Sequence, residues 1–185
     1  KSSVENYTRV LQDDVLQENI QKIAMKSIAA FRGDKKMLLC GNGGSASDAQ
    51  HIAAELSGRF YIDRPPLYAE ALHLNSSYMT AVANDYGFEK LFSRQVQANG
   101  STGDMFIAFS TSGNSVNIIE ALKECKSQGI TTVGLTGESG GKMADLCDYC
   151  IKVPSSSTPR IQESHILIGH IICSVVEEAL FGKGF

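Results

Sequence analysis

The chain has 185 residues, of which 43% are hydrophobic and 20% charged, enough to bury a core as one domain without disulfide or metal staples. A formal net charge of -3 gives no electrostatic case for nucleic acid or an anionic membrane as the main partner. No uninterrupted apolar run approaches the roughly 18–20 residues that span a bilayer, and no signal-peptide pattern opens the chain, which begins at Lys1 and leaves open whether residues precede it.

In chain order, residues 3–31 are predicted as one helix, with apolar positions from Val4, Tyr7, Val10 and Leu11 to Leu16, Ile20, Ile23, Ala24, Ile28 and Phe31. Ser2 and Glu5 have capping-box spacing, and Gly33-Asp34 supplies a stop. Lys36–Cys40 is a strand running into Gly41-Asn42-Gly43-Gly44-Ser45, followed by a helix to about Leu56. A loop holds Gly58, Pro65 and Pro66. Tyr68–Leu74 reads as a second strand, and Ser77–Phe92 as helical pieces broken at Asn84-Asp85-Tyr86-Gly87. The second half repeats the rhythm, with strands at Met105–Phe109, Ile130–Leu135 and Cys147–Val153. Helices follow at Val116–Lys126 and near Lys142–Leu146, and a long last helix runs to about Phe181, capped by Thr158 and started by Pro159. Short strands alternating with helices predict a doubly wound α/β domain: a parallel sheet flanked by helices on both faces, with an added N-terminal helix. Residues 1–33 form the N-terminal helical segment and 34–185 the main domain.

Five cysteines, an odd number set mostly in apolar patterns, read as reduced thiols of a cytoplasmic protein. Cys147 and Cys150 form a C-x-x-C. The pair runs into a strand instead of opening a helix, and has no second pair to complete a zinc ribbon, which favours a structural reading.

Two loops concentrate the chemistry. In a doubly wound sheet, ligands bind beyond the carboxyl ends of the strands, which is where Gly41–Ser45 and Ser110–Ser115 fall. Gly41, Gly43 and Gly44 let backbone N–H groups approach a ligand, and the next helix presents its positive end to an anion. Ser110, Thr111, Ser112 and Ser115 add four hydroxyls without bulk, suited to the three acceptor oxygens of a phosphate. A dinucleotide site competes, because Gly41-Asn42-Gly43-Gly44-Ser45-Ala46 fits G-x-G-x-x-A. The acid that should hold the ribose is missing at His73-Leu74-Asn75-Ser76. Plain tight turns explain either loop alone better than both together.

His51 and Glu55 lie four apart on the helix after the first loop and share a face; taken alone, such a pair is more often solvated, but here the helix starts at the candidate loop. The last helix is apolar nearly all round and carries Gln162, Glu163, His165 and His170, which need partners if buried. At about 100° per residue His165 and His170 point about 140° apart, so they should not face one site. Gln162 and His170 diverge by about 80° but lie about 12 Å apart along the axis. The expectation is a site at a subunit interface, taking Gln162 and His170 from different chains.

Four motifs together resemble the phosphoheptose isomerases of the SIS (sugar isomerase) superfamily: Gly41 through His51, Ser110–Ser115, Leu135-Thr136-Gly137 with Gly140-Gly141-Lys142-Met143, and Arg160-Ile161-Gln162-Glu163 through His170. The likeness covers nearly the whole chain in order. It implies conversion of sedoheptulose 7-phosphate to D-glycero-D-manno-heptose 7-phosphate, the entry to bacterial heptose synthesis for lipopolysaccharide or capsule, in a homotetramer with interfacial sites. It further implies phosphate on Ser45, Ser110, Thr111, Ser112 and Ser115, and sugar against Asn42, Gly43, Gly44, Asn84 and Asp85, with Glu55 and Gln162 also touching substrate. Glu55 and His170 would be the acid–base pair, and one Zn2+ per subunit would rest on His51, Glu55, Gln162 and His170. The superfamily also holds members that bind partner proteins or sense sugar phosphates; their acid–base positions are typically altered, whereas Glu55 and His170 are present here. One departure is Pro159, where some family members carry an acid.

Overall fold

The computed structural model describes residues 1–182; the last three residues of the 34–185 segment lie outside the described residues. Five strands form one parallel sheet: β1 (Met37–Gly41), β2 (Ala69–Ala71), β3 (Met105–Phe109), β4 (Thr131–Thr136) and β5 (Tyr149–Lys152), in the order β2-β1-β3-β4-β5. β1 and β3 are buried at every position, as expected for strands covered on both faces, which read as continuous apolar runs.

Alternate strand residues serve opposite layers. Met37, Leu39, Met105, Ile107, Val133 and Ile151 pack with α2 (Asp14–Arg32), α3 (Gly44–Ser57) and α7 (Thr158–Phe181). Leu38, Cys40, Phe106 and Ala108 pack on the other face with α4 (Ser76–Tyr86), α5 (Leu91–Asn99) and α6 (Val116–Gln128). The architecture is the expected one. In this strand order the winding reverses between β1 and β3, and such switch points open the crevice where ligands bind. Gly41 pairs with Phe109 across those two strands, so the two predicted loops leave the sheet side by side.

Several boundaries differ from expectation. The single N-terminal helix is two, α1 (Ser2–Gln12) and α2, broken at Asp13. Asp13 is extended (φ -91, ψ 94) and its carboxylate accepts from Leu16 N–H at 3.0 Å. A local cap thus outweighs an apolar period that runs through unbroken. No Ser2 cap forms, since Lys1 occupies the N-cap position. β2 shrinks to three residues because only Met37–Leu39 pair with it. The helix near Lys142 is one 3-10 turn, Gly141–Met143. α7 begins at Thr158, with Ser157 as its N-cap residue.

By length and composition α7 is apolar enough to cross a membrane. Here it is packed against α2 and α3, burying Ile161, Ile168, Ile172, Cys173 and Val176. All five cysteines are free. Burial pushes the Cys147 thiol up to about 12, which suits a structural residue and not a nucleophile.

Candidate active site

The second loop folds into a tight cup at the head of α6. Ser110 is buried and its Oγ lies 3.0 Å from Ser115 Oγ. Ser112 is exposed, its Oγ accepting from Asn114 N–H at 3.2 Å. Thr111 offers its carbonyl to Gly137 N–H at 3.0 Å, which ties the cup to the end of β4. Ser115 is the N-cap residue of α6 and makes no side-chain cap bond; its hydroxyl meets Ser110 instead, at the positive end of the helix.

The first loop enters α3 through Gly43 and Gly44, with Ser45 buried in the first turn. The Asn42 amide is spent on Asn117 of α6, in two reciprocal bonds of 3.0 and 2.9 Å that clip the loops together. Asn117 is nearly fully buried and was not among the sequence candidates; its only signal was its place two residues after Ser115 in a run of small polar residues. The structure does not bring Asn84 and Asp85 into hydrogen-bond contact with either loop: both are exposed at the end of α4 and bond to one another at 2.8 Å.

α3 and α7 run alongside, and Gly169 makes the approach possible. A Cβ there would lie 2.5 Å from Ile52 Cδ1, so a larger residue would have to displace the Ile52 side chain or the helices themselves. Beside that contact His51 and His170 face each other, Nε2 to Nε2, at 3.0 Å. Glu55 Oε1 is 3.1 Å from His51 Nε2. Donor atoms of all three residues lie within 4.8 Å of one another. A tetrahedral cation with ligands about 2.0–2.1 Å away separates its ligand atoms by about 3.3 Å, and two imidazoles with a carboxylate are a donor set that zinc accepts. Two imidazole nitrogens at this distance are joined either by an N–H···N hydrogen bond or by a cation bound to both. The residues present therefore fit a metal.

Gln162 is elsewhere on α7. Its Nε2 would be 2.6 Å from a Cβ on Gly44, at the start of α3, about 10 Å along that helix from His51. Among the described residues no hydrogen bond links Gln162 to His51, Glu55 or His170. Sequence reasoning also passed over Asp48, one turn before His51. Burial raises its carboxyl to about 6, opposed in part by His51, and its Oδ2 has no hydrogen-bond partner. His165 points away, as the angular argument required. It is fully buried, its Nε2 sits 3.2 Å from the Thr136 carbonyl, and burial lowers its pKa to about 4.

A hollow of about 480 Å³ lined by Lys26, Lys126, Asp145 and Asp148 opens at the opposite end of the strands, away from the crevice that the doubly wound fold uses. A smaller cleft of about 280 Å³ runs behind Thr111 and Ser112 beside Glu138.

A doubly wound domain with a hydroxyl cup at the switch point and a His–Glu–His cluster on α3 and α7 has the layout of a sugar-phosphate isomerase. The family model described as the SIS domain matches residues 2–137. The phosphoheptose isomerase of Aneurinibacillus thermoaerophilus is 60% identical over 185 residues, covering 100% of this chain and 93% of the relative. Among solved structures, a phosphoheptose isomerase from Francisella tularensis superimposes with a TM-score of 0.92 at 35% identity, covering 96% of this chain and 93% of that one. The phosphoheptose isomerase of Neisseria gonorrhoeae gives 0.90 at 40%, covering 96% and 94%. The chain belongs to the phosphoheptose isomerase family of SIS-domain proteins.

Proposed function

We propose that the chain interconverts sedoheptulose 7-phosphate and D-glycero-D-manno-heptose 7-phosphate, the first step of heptose synthesis for lipopolysaccharide or capsule, in the cytoplasm. The observation that carries this reading is the cluster of Glu55, His51 and His170, set on α7 and on α3, the helix that leaves the Gly41–Ser45 loop. Ser45, Ser110, Thr111, Ser112 and Ser115 hold the phosphate, and the backbone at Asn42, Gly43 and Gly44 lines the sugar. Asn84 and Asp85, at the end of α4, would complete the lining of the sugar.

The reaction moves a proton between adjacent carbons. Glu55 takes it from the hydroxymethyl carbon next to the ketone, and the C–H electrons form the double bond of an enediolate. His170 protonates the former carbonyl oxygen and accepts the proton of the neighbouring hydroxyl. Return of a proton to the former carbonyl carbon leaves the aldehyde. A well-placed acid or base contributes about 10²–10⁴-fold. His51, Glu55 and His170 are the residues that would hold Zn2+, with Gln162 reaching the set from a neighbouring copy. The ion, when bound, supplies Lewis-acid polarisation of the carbonyl oxygen. A ligand atom cannot carry a proton at the same moment, so Glu55 and His170 would do the proton work through atoms not engaged with the ion.

A homotetramer with interfacial sites is favoured by exposed apolar side chains. Leu167, Ile171 and Val175 form one stripe on α7, and Val4, Leu11 and Val15 stand exposed on the N-terminal segment 1–33, which would serve oligomer contacts. The deciding experiment is a coupled assay with sedoheptulose 7-phosphate, with and without chelator. Turnover is expected, and chelation separates a metal-dependent rate from a metal-free one. No turnover on any ketose phosphate would favour the partner-binding or sensing reading.

A further inference from the structure

The loop between α3 and β2 is held by a buried ion pair out of proportion to a connecting segment. Arg64 and Glu177 are 1% and 2% exposed at the side chain and meet at 3.0 Å. Both Glu177 oxygens are filled: Oε1 also accepts from Phe60 N–H at 3.0 Å, and Oε2 from Tyr61 and Ile62 N–H at 2.6 and 3.0 Å. Burial would raise this carboxyl, and the three backbone donors together with Arg64 bring it below its usual range. Arg64 spends its other donors on the carbonyls of Leu56, Gly58, Pro65 and Glu55. One guanidinium thus fastens the loop to the end of α3, including the backbone of Glu55 itself.

The residue this arrangement presents is Phe60. Its ring stacks on the His170 imidazole, centroids 5.5 Å apart and planes at 26°, and the same imidazole meets His51 with centroids 5.0 Å apart. A helical histidine at a crevice has several rotamers open to it. With one aromatic wall fixed to the protein core, His170 keeps the rotamer that points Nε2 at His51.

We infer that Phe60 is a positioning residue for the reaction: the Arg64–Glu177 pair locks its ring against His170 and so fixes the imidazole in the geometry shared with His51 and Glu55. The kinetic part of this inference rests on the isomerase reading above. Phe60 touches His170 and belongs to neither loop of the phosphate site, so its loss should act on turnover and not on substrate capture.

The test compares Phe60→Ala, Phe60→Leu and Phe60→Tyr in the full chain. Phe60→Ala and Phe60→Leu are expected to lower kcat about threefold to tenfold with KM for sedoheptulose 7-phosphate unchanged within about twofold, and Phe60→Tyr, which keeps the ring, to restore kcat. In ¹³C-histidine-labelled protein the His170 ring protons, shielded by the Phe60 face, should move downfield in the Ala and Leu variants and stay near wild type in the Tyr variant. Wild-type kcat in Phe60→Ala, or a rise in KM at constant kcat, would overturn the inference. So would His170 resonances that superimpose in all four proteins. If the wild-type chain does not turn over the substrate, the proposed function falls, and the His170 resonances still decide the role of Phe60.

Discussion

Glu55 and His170 come from different helices and meet through side-chain geometry alone, so each can be replaced without disturbing the phosphate cup. Glu55→Gln keeps the shape and removes the base. It is expected to lower kcat by at least about 10²-fold while inorganic phosphate still competes, checked by steady-state kinetics and a phosphate inhibition constant. Retained turnover would remove Glu55 from the chemistry. His165 makes a separate prediction. With Nε2 donating to the Thr136 carbonyl, its folded pKa of about 4 lies below the ordinary histidine value of 6.5, so the unfolded chain binds a proton that the folded chain refuses. Stability from this group is complete above about pH 6.5 and falls as pH drops towards 4, by up to about 3 kcal/mol. Urea unfolding at pH 7 and pH 5 should show His165→Gln losing less stability than wild type over that interval.

Elements here are fixed by contacts that tolerate little change. Gly169 lets α7 lie on α3 at Ile52, and that separation sets the distance between His170 and His51. Gly169→Val should push the helices apart and weaken Zn2+ binding about 10-fold or more, read by calorimetry on the whole protein, with a loss of activity in step. Unchanged affinity would show that the side chains absorb the shift. The Arg64–Glu177 pair acts at the same scale. Glu177→Ala leaves a buried guanidinium and three loop N–H groups without their acceptor, and is expected to cost about 3–5 kcal/mol in denaturant unfolding. An apolar double replacement of matched volume should cost much less, since removing both charges leaves neither unpaired.

At the scale of the whole molecule, a single copy leaves Leu167, Ile171 and Val175 in a stripe, each more than one-third exposed, and places Gln162 away from His170. Both features are accounted for if neighbouring copies cover α7. Leu167→Glu with Ile171→Glu should shift the protein to smaller species by light scattering, with turnover falling at the same dilution. A variant that stays assembled, or a dissociated one that keeps full activity, would remove the interfacial site.

The alternation of buried runs and amphipathic stretches was sufficient for the sheet, its parallel sense and both loops, because a period of 2 or 3.6 is written in consecutive residues. The loop chemistry was legible for the same reason: Gly41–Ser45 and Ser110–Ser115 are contiguous. The i,i+4 pair His51 and Glu55 could be seen as sharing a face. That His170, 115 residues after Glu55, closes the cluster was available only through family resemblance, since nothing local encodes how α7 lies on α3. Nor could the sequence show that Asn117 clips the loops, or that Arg64 and Glu177 would bury each other behind Phe60. Those depend on which distant groups arrive to satisfy a charge or an amide, and tertiary packing makes that choice, because the cost of leaving a buried polar group unpaired exceeds any local preference of the chain.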